Sequence, residues 1–102
     1  MKRVEHFVVT VDADLEDIVP IFLESRRKDV VELRRGLANG DYEAIRIIGH
    51  TLKGSGGGYG FQTISEIGRC LERAAKEEDR EAIRQKSDEL AEYLERLEIF
   101  YQ

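Results

Sequence analysis

A histidine, a lysine three residues later and a run of glycines fall together in Ile48-Gly49-His50-Thr51-Leu52-Lys53-Gly54-Ser55-Gly56-Gly57-Gly58-Tyr59-Gly60. Near pH 7 a neutral imidazole has a free ring nitrogen that can attack a phosphoryl group, and an adjacent ammonium can steady the phosphate it receives. On a helix turning about 100° per residue, Ile45, Ile48 and Leu52 fall within roughly 60° of one another and define a buried side. His50 lies roughly 140° from Ile45, on the opposite face. Lys53 is one turn further along that face, with Gly54 beside it and Gly57 another turn on, while Glu43, Arg46 and Ile47 stand one turn earlier. Each glycine inside a helix costs ~1 kcal/mol relative to alanine. Helix termination explains one glycine, and a second body approaching the backbone beside His50 would explain the others. Spacing alone fits an ordinary solvent-facing histidine at least as well.

Other chemistries fit poorly. A phosphate-binding Walker loop needs lysine where Ser55 follows Gly49 and Gly54, and a dinucleotide fingerprint needs glycine where Tyr59 stands. The glycine run retains the option of an anion-binding nest. His6, His50 and Cys70 are too far apart in sequence to suggest a zinc site, and the lone cysteine excludes an internal disulfide. No carboxylate pair is marked for acid–base work. Cys70 falls off the inner stripe of its helix and reads as a small flanking hydrophobe.

The elements that must carry this segment follow from periodicity. The chain has 102 residues, 41% hydrophobic and 36% charged, too apolar for a disordered tail and too charged for a membrane protein. Sixteen basic residues against twenty-one acidic ones give a net charge of -5, which argues against nucleic acid as a partner. The longest apolar run, Phe7-Val8-Val9, is far short of a membrane span, and the first residues lack the apolar core of a signal peptide. The cytoplasm is therefore the expected location.

Residues 4–11 are β-branched and apolar, an extended arm that packs loosely on the body or docks on a second copy. Asp12 or Asp14 caps a short helical turn through Ile18, and Pro20 suits the start of a helix reaching Ala38, with Ile21, Phe22, Val30, Leu33 and Leu37 inside. Asn39-Gly40 stops that helix and Asp41 starts the next, whose inner stripe is Ala44, Ile45, Ile48 and Leu52. A third helix runs from Phe61 to Lys76, with Gly68 allowing close approach of a neighbouring backbone. Asp79 caps a fourth, in which Ile83, Leu90, Leu94, Leu97 and Tyr101 keep a heptad-like rhythm. The expected fold is all-α, an up-down-up-down four-helix bundle with a short N-terminal helix and an extended arm. The arm occupies residues 1–13 and the bundle domain residues 14–102.

His50-x-Leu52-Lys53-Gly54-Ser55, with Gly60 at a fixed remove, resembles the signature of histidine-containing phosphotransfer (HPt) domains. Gly60-Phe61-Gln62-Thr63-Ile64-Ser65-x-Ile67-Gly68-x-x-Leu71-Glu72-x-Ala74-Ala75 is similar to that family's third helix. The likeness covers roughly residues 14–97, and the triple glycine at 56–58 departs from it, leaving the end of the second helix open. The resemblance implies a phosphorelay intermediate in two-component signalling. His50 would accept a phosphoryl group from a receiver aspartyl phosphate and pass it to another receiver's aspartate, with Lys53 stabilising the phosphate. It implies no ATP binding and no kinase activity of its own, and no cofactor beyond Mg²⁺ held by the partner receiver. The partners would be receiver domains of response regulators or of a hybrid histidine kinase, with no nucleic acid and no membrane. Ile47, Gly54 and Gly57 would border the docking surface, and Arg46 or Glu72 would touch the phosphate or hold the imidazole. The alternatives are a helical adaptor that binds a receiver or kinase without chemistry, and a phosphatase-like or dimerisation module of a kinase.

Overall fold

A computed structural model describes residues 6–102; residues 1–5 of the expected arm, Val4 among them, lie outside the described residues. Strand β1 spans Phe7–Val11, and a single 3-10 turn, Ala13–Leu15, follows it. Four helices come next: α1 at Val19–Asn39, α2 at Tyr42–Ser55, α3 at Gln62–Lys76 and α4 at Arg80–Glu95. Strand β2, Leu97–Tyr101, ends the ordered elements. The fold is an all-α, up-down four-helix bundle, as expected.

Local chemistry sets the helix boundaries. The Asp12 side chain accepts a hydrogen bond from the Asp14 N–H at 2.9 Å, closing the short turn. Pro20 stands in the first turn of α1, where its missing N–H leaves no bond unmade. Gly40 terminates α1 in the left-handed region at φ 66°, a conformation that a Cβ disfavours. Asp41 and Asp79 cap α2 and α4, accepting from the Ala44 and Ala82 N–H groups at 3.1 Å each. Short links of this kind hold successive helices antiparallel.

Leu33, Ile45, Leu52, Phe61, Ile64, Leu71, Ile83 and Leu90 are fully buried and form the centre of the core. Phe22 stacks on both Tyr59 and Phe61, at 4.4 and 5.7 Å between ring centroids, and so ties α1 to the glycine-rich connection. Ile21, expected inside, is 70% exposed. Val19, Phe22 and Leu23 fill the inner face at that end of α1, and Ile21 falls outside their stripe.

The chain end departs from the expected helix. α4 stops at Glu95, and Leu97–Tyr101 pairs in parallel with β1, Phe7 opposite Leu97 and Val11 opposite Tyr101. Leu97 and Tyr101 are four residues apart, a separation that a helix stripe and one face of a strand share. The alternation decides: Leu97, Ile99 and Tyr101 are half-buried while Glu98 and Phe100 face solvent. Parallel strands need a long crossover, and here the whole bundle supplies it. The arm is consequently fastened to its own chain. Phe7 packs on the Tyr93 ring at 5.1 Å, Val11 is buried, and the Gln102 N–H donates to the Val11 carbonyl at 3.0 Å.

Candidate functional site

α2 and α3 are the most intimately packed pair in the bundle, because glycines meet where they cross. A Cβ on Gly49 would sit 2.6 Å from the Glu72 backbone nitrogen, and one on Gly68 would sit 2.7 Å from the Gly49 carbonyl oxygen. Only hydrogen fits at either position. The crossing sets Glu72 of α3 directly beside the turn of α2 that carries His50.

The His50 side chain stands on the outer face of α2 and is 65% exposed. Its Nδ1 lies 2.8 Å from Glu72 Oε2, and the Lys53 ammonium donates to Glu72 Oε1, also at 2.8 Å. The Glu72 side chain is only 10% exposed, so its two oxygens are committed to these two partners. The Lys53 hydrogen bond, followed by that of His50, holds the Glu72 carboxyl at about 2, against the opposing effect of desolvation. An ionised carboxylate has no hydrogen to give, so the proton of this contact belongs to Nδ1. The lone pair of the neutral ring then resides on Nε2, across the ring from Glu72. The site presents an oriented imidazole, held at Nδ1, on an exposed helix face.

The surroundings are open in the manner the glycines imply. A Cβ on Gly54 would meet nothing within 4 Å, and Gly54 is exposed. Ile47 is exposed one turn before His50. Gly57 is exposed too, although its N–H donates to the buried Ser65 Oγ at 2.8 Å and fastens the 3-10 turn Gly57–Tyr59 onto α3. Arg46 does not reach the imidazole: Glu43 holds its guanidinium by two hydrogen bonds, at 2.6 and 3.1 Å. Of the two side chains considered for that place, the structure brings Glu72. In the sequence Gly49 enters only as part of a failed phosphate-loop pattern; the structure gives it a packing role, seating α3 one residue before His50.

The family model of the Hpt domain matches residues 17–99, spanning all four helices and His50. The chain belongs to the Hpt domain family. Membership gives it a general role in phosphorelay signalling. No curated protein and no solved structure gave a match. Among the described residues of this Hpt domain, no group of three or more His, Cys, Asp or Glu side chains is arranged to hold a metal ion. Among the described residues, no helix is long and apolar enough to cross a membrane.

Proposed function

We propose that His50 is a phosphoacceptor that takes a phosphoryl group from the aspartyl phosphate of one receiver domain and gives it to the aspartate of another. The observation that carries this reading is the Nδ1 contact with Glu72, which in the neutral ring puts the lone pair on Nε2 of a side chain that is largely exposed. The Nε2 lone pair attacks phosphorus, a P–N bond forms, and the P–O bond to the receiver aspartate breaks with its electron pair leaving on the carboxylate. The ring is then substituted at both nitrogens and positive, and the Glu72 carboxylate opposite Nδ1 stabilises that charge. Attack by the next aspartate on phosphorus reverses these steps and restores the neutral ring. Lys53 keeps Glu72 ionised and in place, and adds positive potential beside the arriving phosphoryl group.

Ile47, Gly54 and Gly57 border the surface on which the receiver rests, with Gly54 letting its backbone come near. The receiver supplies Mg²⁺ and most of the charge stabilisation that phosphoryl transfer requires. The chain works in the cytoplasm as a carrier, with no kinase activity of its own. An adaptor that only binds a receiver would have no use for an imidazole of fixed tautomer held by a buried carboxylate. The test is transfer of ³²P from a receiver domain phosphorylated with labelled acetyl phosphate. Label is expected on the wild-type chain as an acid-labile, base-stable adduct and absent from His50→Gln; equal labelling of both would remove His50 from the reaction.

A further inference from the structure

Beyond Lys53, on the side away from His50, lies a polar cleft of about 300 Å³ walled by Lys53, Gln62, Ser65, Glu66 and Arg69. Arg69 is its distinctive member. Among the described residues every other arginine has an ion pair or a hydrogen bond to protein, and Arg69 has neither. It is exposed on α3, one turn before Glu72. A guanidinium is weakly hydrated and presents a planar fork of donors, a geometry matched to a carboxylate or phosphate.

The remaining walls are suited to the same kind of guest. Lys53 gives one of its three N–H donors to Glu72 and keeps two. Gln62 contributes a side-chain amide. The Ser65 hydroxyl, having accepted the Gly57 N–H, still has its own hydrogen to offer. Glu66 is the one acid on the wall; it pairs with neither cation, and an exposed Glu–Arg pair three residues apart would contribute little to holding Arg69 closed. Two cations, Lys53 and the unpartnered Arg69, face this one cleft against the single carboxylate of Glu66. His50 is not among the walls, so the cleft lies beside the proposed phosphoacceptor and not over it.

We infer that the Arg69–Lys53 cleft is an anion subsite that receives a carboxylate side chain of the docking receiver, fixing its register beside His50. This rests on the reading of His50 as phosphoacceptor, because that reading supplies the receiver. The subsite adds affinity and orientation, and Arg69 touches no reacting atom.

Two measurements test it. Sodium acetate serves as the carboxylate probe in an NMR titration at constant ionic strength. The expected shifts centre on the Arg69 Nε–H and the Gln62 side-chain amide, and Arg69→Gln abolishes those at Gln62. In transfer from a phosphorylated receiver, Arg69→Gln is expected to raise KM about tenfold while the maximal rate holds, and Arg69→Lys to recover only part of the loss. Acetate shifts scattered over the surface, or a KM unaltered by Arg69→Gln, would overturn the subsite. Phosphoramidate, a small phosphodonor that needs no docking protein, reads His50 separately. A wild-type chain left unlabelled by phosphoramidate and receiver alike counts against the His50 reading alone, and the acetate titration still decides the cleft.

Discussion

The glycine crossing that seats Glu72 can be perturbed by a single methyl group. In Gly68→Ala the new Cβ would lie 2.6 Å from Leu52 Cβ, 2.7 Å from the Gly49 carbonyl oxygen, and closer still to the Lys53 backbone nitrogen. Ordinary contact begins near 3.4 Å, and two of these three neighbours are backbone atoms that no rotamer change can move. α2 and α3 must therefore separate by nearly 1 Å along much of their shared face. Overpacking on this scale costs about 1–3 kcal/mol. With contacts this short and two of them to backbone, the upper end of that range applies; replacing a helical glycine returns at most ~1 kcal/mol, so a net loss of about 2 kcal/mol is expected. Urea unfolding followed by far-UV circular dichroism measures it, and the melting temperature should fall by roughly 4–8 °C per kcal/mol. Separation also lengthens both 2.8 Å contacts to Glu72, so labelling of His50 by phosphoramidate should slow in the same variant. Gly54→Ala is the control: its Cβ meets nothing within 4 Å, and the change should stabilise the fold by up to ~1 kcal/mol. Gly68→Ala as stable as wild type, or Gly54→Ala as damaging as Gly68→Ala, would refute the account of the crossing.

Acid should reveal the Glu72 pairing. Its carboxyl is held at about 2 against an ordinary 4.5, so its contribution to stability is complete above 4.5 and is lost as pH falls from there through about 2. Glu72→Gln should flatten the stability profile across that interval, as read by urea midpoints at successive pH values. Lys53→Ala removes the first of the two partners that hold this carboxyl low; a carbon-detected NMR titration should show the Glu72 pKa rising towards the ordinary range, with transfer to His50 slowed. Leu52→Ala, at a fully buried position of α2, should cost about 2–5 kcal/mol in the same urea assay, and a mild effect would contradict its place in the core.

Most of the fold was legible because its boundaries are written in local chemistry. Asp41, Asp79 and Gly40 act on backbone groups within a few residues of themselves, and a reading along the chain sees such partners. The outward face of His50 follows from the same arithmetic, since Ile45 and Leu52 fix which side of α2 is buried. Ile21 and the end of α4 were misjudged where local signals are shared between alternatives. An isoleucine at the edge of an apolar stripe can fall on either side of it, and Leu97 and Tyr101 suit a helix or a strand alike. The pairing of Leu97–Tyr101 with Phe7–Val11 joins segments about ninety residues apart, and no local window contains both.

Glu72 shows why a site can be half legible. His50 and Lys53 are neighbours on one helix, and their proximity is a matter of counting. Whether Arg46 or Glu72 reaches the imidazole depends instead on what else each can bond and on how two helices cross. Glu43, one turn before Arg46, satisfies its guanidinium within α2 and takes it out of contention. Arg69 and Lys76 stand one turn either side of Glu72 on α3, yet its two hydrogen bonds go to His50 and Lys53, because Gly49 against Gly68 brings it close enough to reach across. The two glycines thus belong to the chemistry as much as to the packing: without backbone-to-backbone contact at that crossing, the carboxylate that fixes the proton on Nδ1 would stand too far away to hold it. The tautomer of the neutral His50 ring, and with it the nitrogen proposed to attack phosphorus, is a consequence of interhelical distance.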